Sequence, residues 1–231
     1  MACHVCVGKF CAYKIPILSH LDCDELEEVL KLLEHKEYAK GEILFQEGDV
    51  AKTLYILNEG RLKLYKYTKE GKEQILHILK EGDFLGELQL LKPTQFENSA
   101  KAITDCNVCT LKKEDFQKLL LKRPEIALKV LEVIGERLVR LENLALILAD
   151  NDSDAKLAYL LLELGNEYGT LENNKLMITL PISKEEMANY AGLTRETISR
   201  KLKSFSDMGL IKMIGHKKIE ILNKSALKDL L

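Results

Sequence analysis

The sequence lacks the features that would place it in a membrane or send it for secretion. No apolar run in its 231 residues approaches the roughly 20 that a membrane-spanning helix needs. No short apolar stretch follows a basic start, as it does in a signal peptide. Hydrophobic residues still make up 46% of the chain, enough to build packed cores. We therefore expect a soluble cytoplasmic protein of one large domain or two ordinary ones.

A net positive charge, which would indicate a nucleic-acid partner, is also absent. Lys and Arg total 34 against 36 Asp and Glu, which leaves a net charge of −2. The average hides an asymmetry, because residues 155–231 hold 12 Lys and Arg but only 9 Asp and Glu, a local balance of +3. A mildly basic C-terminal part is compatible with phosphate contact but does not establish it.

Motifs of enzyme chemistry are missing as well. The sequence has no P-loop, no nucleophile elbow and no His/Glu metal motif. Its five histidines are scattered and indicate no reaction centre; they are His4, His20, His35, His77 and His216. We expect a protein that is not an enzyme.

The first half of the chain has the pattern of a short helix followed by many strands. Residues 21–37 are predicted to form a helix, with acidic residues near its start and an apolar stripe that includes Leu26 and Leu33. From Lys40 to about Lys113, short alternating segments such as Leu62–Tyr67 are separated by glycine turns. This spacing predicts an antiparallel β-sandwich or barrel.

A long helix is predicted from Pro124 to about residue 150. One apolar stripe follows steps of three and four residues over three heptads, which is typical of a helix that pairs with a copy of itself. That stripe consists of Leu131, Ile134, Leu138, Leu141, Ala145 and Leu148. A second stripe is expected to face the β-domain and consists of Val130, Val133, Leu144 and Ile147. The alternative is one broad face packed on the helix's own domain. The run Asp150–Asp154 breaks the apolar pattern and indicates a hinge or a recapping point between domains.

The last part of the chain has the pattern of a winged helix-turn-helix. Ser183 and Glu186 form a capping box that opens one helix, and Thr194 is suited to cap a second helix that runs to Met208. The tight turn Ala191–Leu193 joins them. Two short strands then follow, so the order is helix, turn, helix and hairpin.

The second helix of this motif would present polar side chains outward. Its apolar residues Ile198, Leu202 and Phe205 share one face, which leaves Arg195, Glu196, Ser199, Arg200 and Lys203 on the other. Arg can grip guanine with two hydrogen bonds, Glu can accept from the cytosine amino group, and Ser suits either kind of base edge. The alternative is that Glu196 stabilises its helix and that the arginines are ordinary surface residues.

The segment Gly192–Arg200 resembles the recognition helix of the CRP/FNR superfamily of bacterial transcription regulators. Glu196, Ser199 and Arg200 match the Glu-x-x-Ser-Arg of the FNR branch, whereas the cyclic-AMP receptor branch typically has Gly in place of Ser199. The resemblance covers nearly the whole chain. It implies an α+β protein with a cyclic-nucleotide-binding-like β-roll (jelly roll), a dimerisation helix and a winged helix-turn-helix.

This resemblance also implies domain bounds and partners. The implied parts are a cysteine-rich segment (1–20), a β-roll sensor domain (21–123), a dimerisation helix (124–150) and a DNA-binding domain (155–231). The implied partners are a second copy of the chain, RNA polymerase and a DNA palindrome related to TTGAT…ATCAA. Glu196, Ser199 and Arg200 would read bases in each half-site of that palindrome.

The six cysteines are unevenly placed, with Cys3, Cys6 and Cys11 close together at the N-terminus. Without a secretion signal, metal or redox chemistry is a better interpretation than a disulfide framework. The triad resembles the FNR sensor, which implies a [4Fe–4S] cluster with Cys109 as the fourth ligand. The second gap in the triad is one residue shorter than in the best-known members. Oxygen would degrade the cluster and release the protein from DNA.

Other interpretations of these cysteines remain open. Cys3 or Cys6 could form a switchable disulfide with Cys109, or Cys3, His4, Cys6 and Cys11 could hold zinc. The thiols could also be merely reduced, and the same scaffold could sense through heme or a small molecule. Cys106 and Cys109 would face opposite sides of a regular strand, so only one of them can easily meet the triad. Cys23 has no partner in any scheme and is expected to be structural.

The β-domain also resembles a cyclic-nucleotide pocket at Phe84–Glu87. Nucleotide binders of the family follow this turn with an Arg-Ser/Thr-Ala step whose Arg clamps the cyclic phosphate, whereas this chain has Asn98-Ser99-Ala100. Neither Lys92 nor Lys101 offers the same two-pronged donor. We expect Gly86 and Glu87 to be a retained turn, and we expect that cyclic AMP is not the effector.

Overall fold

The computed structural model describes residues 15–18, 21–91, 95–172, 175–215 and 217–231. The chain divides into two compact units. The described residues up to Lys66 form the first unit together with Leu76–Leu138, and Tyr67–Ile75 form the second with Val139–Leu231. Within the described ranges, no helix is both long enough and apolar enough to cross a bilayer.

The first unit is built from short strands and four helices. One turn of 3-10 helix (Pro16–Leu18) comes first. The helices are α1 (Cys23–Leu30), α2 (Glu87–Leu91), α3 (Lys113–Lys122) and the first part of α4 (Pro124–Ala149). The strands are β1 (Glu34–Tyr38), β2 (Ile43–Phe45), β3 (Thr53–Glu59), β4 (Leu62–Tyr67), β5 (Glu73–Leu79), β6 (Phe84–Leu85), β7 (Ser99–Ala102) and β8 (Cys106–Lys112). The last residue of β4 and the first three residues of β5 are grouped with the second unit.

These strands form two four-stranded sheets, in the orders β1-β8-β3-β6 and β2-β7-β4-β5. Residues of both sheets, such as Leu57, Leu62 and Val108, share one hydrophobic core. The other face of the first sheet shares a second core with α1, α3, α4 and Ile15–Leu18. The predicted antiparallel β-roll is therefore confirmed.

The glycine turns of the sequence have a clear steric basis at Gly60. Its φ of +97° is in the region that favours glycine. A Cβ at this position would lie 2.3 Å from the carbonyl oxygen of Asp105. Any side chain would therefore both strain the turn and collide with the start of β8.

The helix predicted over residues 21–37 is shorter than expected. A capping box between Asp22 and Glu25 opens α1, and the helix ends at Leu30. Residues Glu34–Tyr38 instead form β1, which pairs antiparallel with β8. Strand β1 is an edge strand with four exposed residues and one half-buried residue. Its sequence therefore lacks the alternation of apolar and polar residues by which a half-buried strand is predicted.

Helix α4 spans Pro124–Ala149, close to the predicted bounds. Val130 and Val133 of its second stripe pack on the core of the first unit, as expected. Leu144 and Ile147 lie in the part of α4 that is grouped with the second unit. For these two residues, the expected packing on the β-domain stays a prediction. Helix α3, which joins β8 to α4, was not expected.

The second unit contains the predicted winged helix-turn-helix, preceded by one helix and two strands and followed by a short C-terminal helix. Its elements are α5 (Ser153–Tyr168), β9 (Gly169–Glu172), β10 (Lys175–Thr179), α6 (Lys184–Ala191), α7 (Arg195–Asp207), β11 (Ile211–Ile214), β12 (Lys218–Ile221) and α8 (Lys224–Lys228). The sheet order is β11-β12-β10-β9. Asp152 caps α5 through the backbone amide of Asp154, at the site of the predicted hinge.

Candidate functional site

Local sequence explains the geometry of the helix-turn-helix. The backbone amide of Glu186 donates to Ser183 Oγ at 3.2 Å and opens α6. Gly192 ends this helix in the left-handed conformation, with φ of +64°. The amide of Thr197 then donates to Thr194 Oγ1 at 3.2 Å and opens α7. Both predicted caps are confirmed.

Helix α7 divides into a buried face and a solvent face. Ile198, Leu202 and Phe205 are each at most 2% exposed and hold the helix in its unit. Of the predicted reading residues, Arg195, Glu196, Arg200 and Lys203 are exposed and Ser199 is half-buried. The face therefore carries three cations, one carboxylate and one hydroxyl, a set that matches the polar groups of a major groove.

Several contacts that position this helix were not found by sequence reasoning. Lys201 donates to Asp154 Oδ2 at 2.7 Å and ties α7 to the start of α5. Lys72 Nζ donates to the carbonyl oxygen of Leu193 at 3.4 Å, in the turn before α7. Gln74 Nε2 donates to the carbonyl oxygen of Tyr190 at 3.1 Å. These partners are distant in sequence, so no local motif marks them.

Cys109 lies on the outer face of the first sheet, in the core that also contains Ile15–Leu18. It is 2% exposed, and burial raises the pKa of its thiol to about 11. His35 is directly opposite it on β1, with 3.3 Å between Nδ1 and Sγ. This sulfur is therefore a protonated, buried thiol beside an imidazole.

Cys106 faces the opposite side of β8, in the core between the two sheets. Its thiol donates to the carbonyl oxygens of Arg61 and Thr104, at 3.2 and 3.3 Å. The expected opposition of the two downstream cysteines is thus confirmed. Cys23 is the first residue of α1 and is exposed, so it has no role in a core.

The residues that the structure describes contain no group of three His, Cys, Asp or Glu side chains that could hold a metal ion. Cys3, Cys6 and Cys11 lie outside the described residues, as does His4. Ile15, which shares a core with Cys109, is only four positions after Cys11.

The turn that resembles a nucleotide pocket holds a buried ion pair. Glu87 is 1% exposed, and Arg137 Nη1 donates to its Oε1 at 2.8 Å. Arg137 Nη2 donates to the carbonyl oxygen of Phe84 at 2.9 Å. Burial raises the pKa of Glu87, and the Arg137 guanidinium opposes this shift. Glu87 and the Phe84 carbonyl therefore anchor α4 to this turn.

The structure also describes Asn98, which stands where nucleotide binders of the family have the Arg that clamps the cyclic phosphate. Asn98 is half-buried just before β7, and Ser99 Oγ accepts a hydrogen bond from the amide of Glu47 at 3.0 Å. Lys101 is half-buried on β7, and Lys92 lies outside the described residues. Ser99, which matches the Ser/Thr of the nucleotide-binding step, is therefore hydrogen-bonded to the backbone of this chain.

The predicted dimerisation stripe of α4 is largely exposed. Leu131, Leu138 and Leu141 are 60%, 56% and 40% exposed, and Ala145 is exposed as well. Ile134 is half-buried and packs partly on the core of the first unit. Leu148 is also half-buried. Leu128, Val139 and Leu146 are further exposed apolar residues of α4 that the stripe did not include.

A β-roll followed by a long helix and a winged helix-turn-helix defines a DNA-binding transcription regulator. The comparisons agree: residues 35–123 match the cyclic nucleotide-binding domain family, and residues 155–230 match the Crp-like helix-turn-helix domain family. The chain belongs to the Crp/Fnr family of transcription regulators, and like its homologues it is a regulator and not an enzyme.

Individual relatives cover nearly all of the chain. It is 33% identical to the probable transcriptional regulator flp of Lacticaseibacillus casei, over 95% of this chain and 97% of that one. It is 29% identical to a CRP-like cAMP-activated global transcriptional regulator of Mycobacterium tuberculosis, over 86% and 89% of the two chains. The structure of FixK2 from Bradyrhizobium japonicum superposes with a TM-score of 0.77 at 26% identity, over 86% and 96%.

Proposed function

We propose that this chain is an oxygen-responsive regulator of the FNR type. It acts in the cytoplasm as a homodimer, and it binds a TTGAT…ATCAA-like palindrome when a [4Fe–4S] cluster is present. The observation that carries this proposal is the position of Cys109. Its sulfur lies in the same core as Ile15–Leu18, the segment that directly follows the N-terminal triad.

The donor chemistry fits such a cluster. Iron–sulfur clusters are held by four cysteine thiolates, and Cys3, Cys6, Cys11 and Cys109 supply four. Cys109 faces the core that contains Ile15, Ile17 and Leu18, whereas Cys106 faces away from it.

Ligation at Cys109 would be coupled to the dimerisation helix through packing. Ile126 and Val130 of α4 belong to the same core as Cys109, and Ile134 packs against it. The cluster, when bound, supplies a centre that oxygen can destroy. The cluster would tether the N-terminal segment to β8. If it binds more tightly to the arrangement of this core that favours pairing of α4 than to the arrangement that does not, it stabilises the pairing arrangement by that difference in binding free energy.

Pairing of α4 with a second copy would bury the exposed residues of its stripe. Leu131, Leu138 and Leu141 are spaced as heptad positions and lie open to solvent, which supports this assignment. In such a dimer, two copies of α7 would read two half-sites one helical turn apart. We also expect contact with RNA polymerase, since the family consists of transcription regulators.

On DNA, we assign the reading of base edges to Glu196, Ser199 and Arg200, and supporting contacts to Arg195 and Lys203. Arg200→Ala should weaken binding to the palindrome by about 1–3 kcal/mol and relax the preference at one base position. The test is anaerobic binding to the palindrome and to single-base variants. Lys228→Ala, which removes an exposed charge from α8, serves as the control and should keep the preference. An equal loss on every sequence would make Arg200 a phosphate contact and contradict its assignment.

Cyclic AMP is expected to have no effect on this regulator. Asn98 has no positive charge for the cyclic phosphate, and Glu87 is already paired with Arg137. Titration calorimetry with millimolar cyclic AMP should show no binding, and DNA affinity should stay unchanged. Tight binding of the nucleotide would refute this expectation.

A further inference from the structure

The imidazole of His35 lies beside the sulfur that we assign as the cluster ligand from β8. His35 and Cys109 are opposite each other in the antiparallel register of β1 and β8. The distance from Nδ1 to Sγ is 3.3 Å, within the range of a hydrogen bond to sulfur. Cys109 is buried, whereas His35 is exposed on an edge strand. The imidazole therefore stands at the solvent side of a buried sulfur.

Such a contact has a defined effect when the sulfur is a thiolate ligand. A ring N–H that donates to the sulfur stabilises its negative charge and reduces the electron density that it gives to the metal. Hydrogen bonds to ligand sulfurs are one of the factors that set the reduction potential of an iron–sulfur cluster. A donor at this position would make the removal of an electron by oxygen less favourable.

We infer that His35 is a positioning residue of the sensor, whose Nδ1–H donates to Cys109 Sγ and sets the oxygen sensitivity of the cluster. The inference rests on the proposed function, because it requires Cys109 to be a cluster ligand. It goes beyond that function by naming a residue outside the cysteine set. No motif in the sequence marks His35, which is one of five scattered histidines.

Three variants test this role. His35→Ala removes the donor, and His35→Gln keeps an N–H group that can reach toward the sulfur. Lys36→Ala is the matched control, because Lys36 is an exposed residue of the same edge strand whose side chain points to the other face. For each full-length protein, reconstituted without oxygen, three quantities are measured: iron and sulfide per chain, the midpoint potential, and the rate of visible-absorbance loss at fixed oxygen and pH.

His35→Ala should keep its iron and sulfide but lose absorbance between about twofold and about tenfold faster than the wild type, the range given by one ordinary hydrogen bond. Its midpoint potential should become more negative, while His35→Gln and Lys36→Ala stay close to the wild type. Loss of iron from His35→Ala with retention of iron in His35→Gln would also support the inference, because these two variants differ in whether the side chain keeps an N–H donor.

Three results would overturn it. One is a rate and potential for His35→Ala that equal those of the wild type. Another is the same change in Lys36→Ala, which would indicate a general effect on the edge strand. The third is loss of iron from both His35 variants. A wild-type protein without iron would instead refute the proposed function, and the role of His35 would fall with it.

Discussion

Cys109→Ser should abolish cluster assembly and anaerobic DNA binding, whereas Cys106→Ser and Cys23→Ser should retain both. The physical reason is the alternation of β8. Cys109 faces the core that contains Ile15, Ile17 and Leu18, and Cys106 faces the core between the sheets. A hydroxyl is a much poorer ligand for iron than a thiolate, so loss of the fourth ligand should be nearly complete.

The three cysteine variants should be compared side by side under anoxia, by iron and sulfide content per chain and by gel shift. Cys106→Ser is a strict control because its position is also buried and lies three residues away on the same strand. Loss in Cys106→Ser with retention in Cys109→Ser would reverse the ligand assignment. Loss in both would indicate a different metal site.

Arg137→Met should destabilise the protein by about 3–5 kcal/mol, the usual cost of breaking a buried ion pair. Glu87 would lose its cationic partner while 1% exposed, so its carboxylate must remain charged without compensation or take up a proton. The carbonyl oxygen of Phe84 would also lose the donor Nη2. The free energy of unfolding is measured by denaturation in urea, followed by circular dichroism.

Two further variants make this result specific. Lys122→Met breaks the exposed ion pair with Glu28 and should cost far less, because solvent screens exposed pairs. Adding Glu87→Gln to Arg137→Met removes the uncompensated charge and should recover part of the lost stability. If Arg137→Met costs no more than Lys122→Met, the buried pair does not anchor α4 to the β-roll.

Elements with strong local signals could be predicted from the sequence. Ser183 and Thr194 are side-chain caps with distinct spacing, so the two helices of the DNA-binding motif were found nearly to the residue. Pro124 and the run Asp150–Asp154 marked the bounds of α4 in the same way. The alternation of a strand also gave the opposite facing of Cys106 and Cys109.

Elements and contacts that depend on distant partners could not be predicted. Strand β1 is polar and exposed, and only its pairing with β8 makes it a strand. The partner of Glu87 is 50 residues away on α4, and the partner of Cys109 is 74 residues away on β1. The sequence contains these side chains but no periodicity or motif that connects them.

The most direct test of the oxygen-sensing proposal is an anaerobic absorption spectrum of the wild-type protein, combined with iron and sulfide analysis, before and after exposure to air. We expect about four iron and four sulfide ions per chain and a broad visible absorption, as a [4Fe–4S] cluster requires. Both the absorption and binding to the palindrome should be lost in air. A sharp Soret band, bound zinc without iron, or thiols without metal would contradict the proposal.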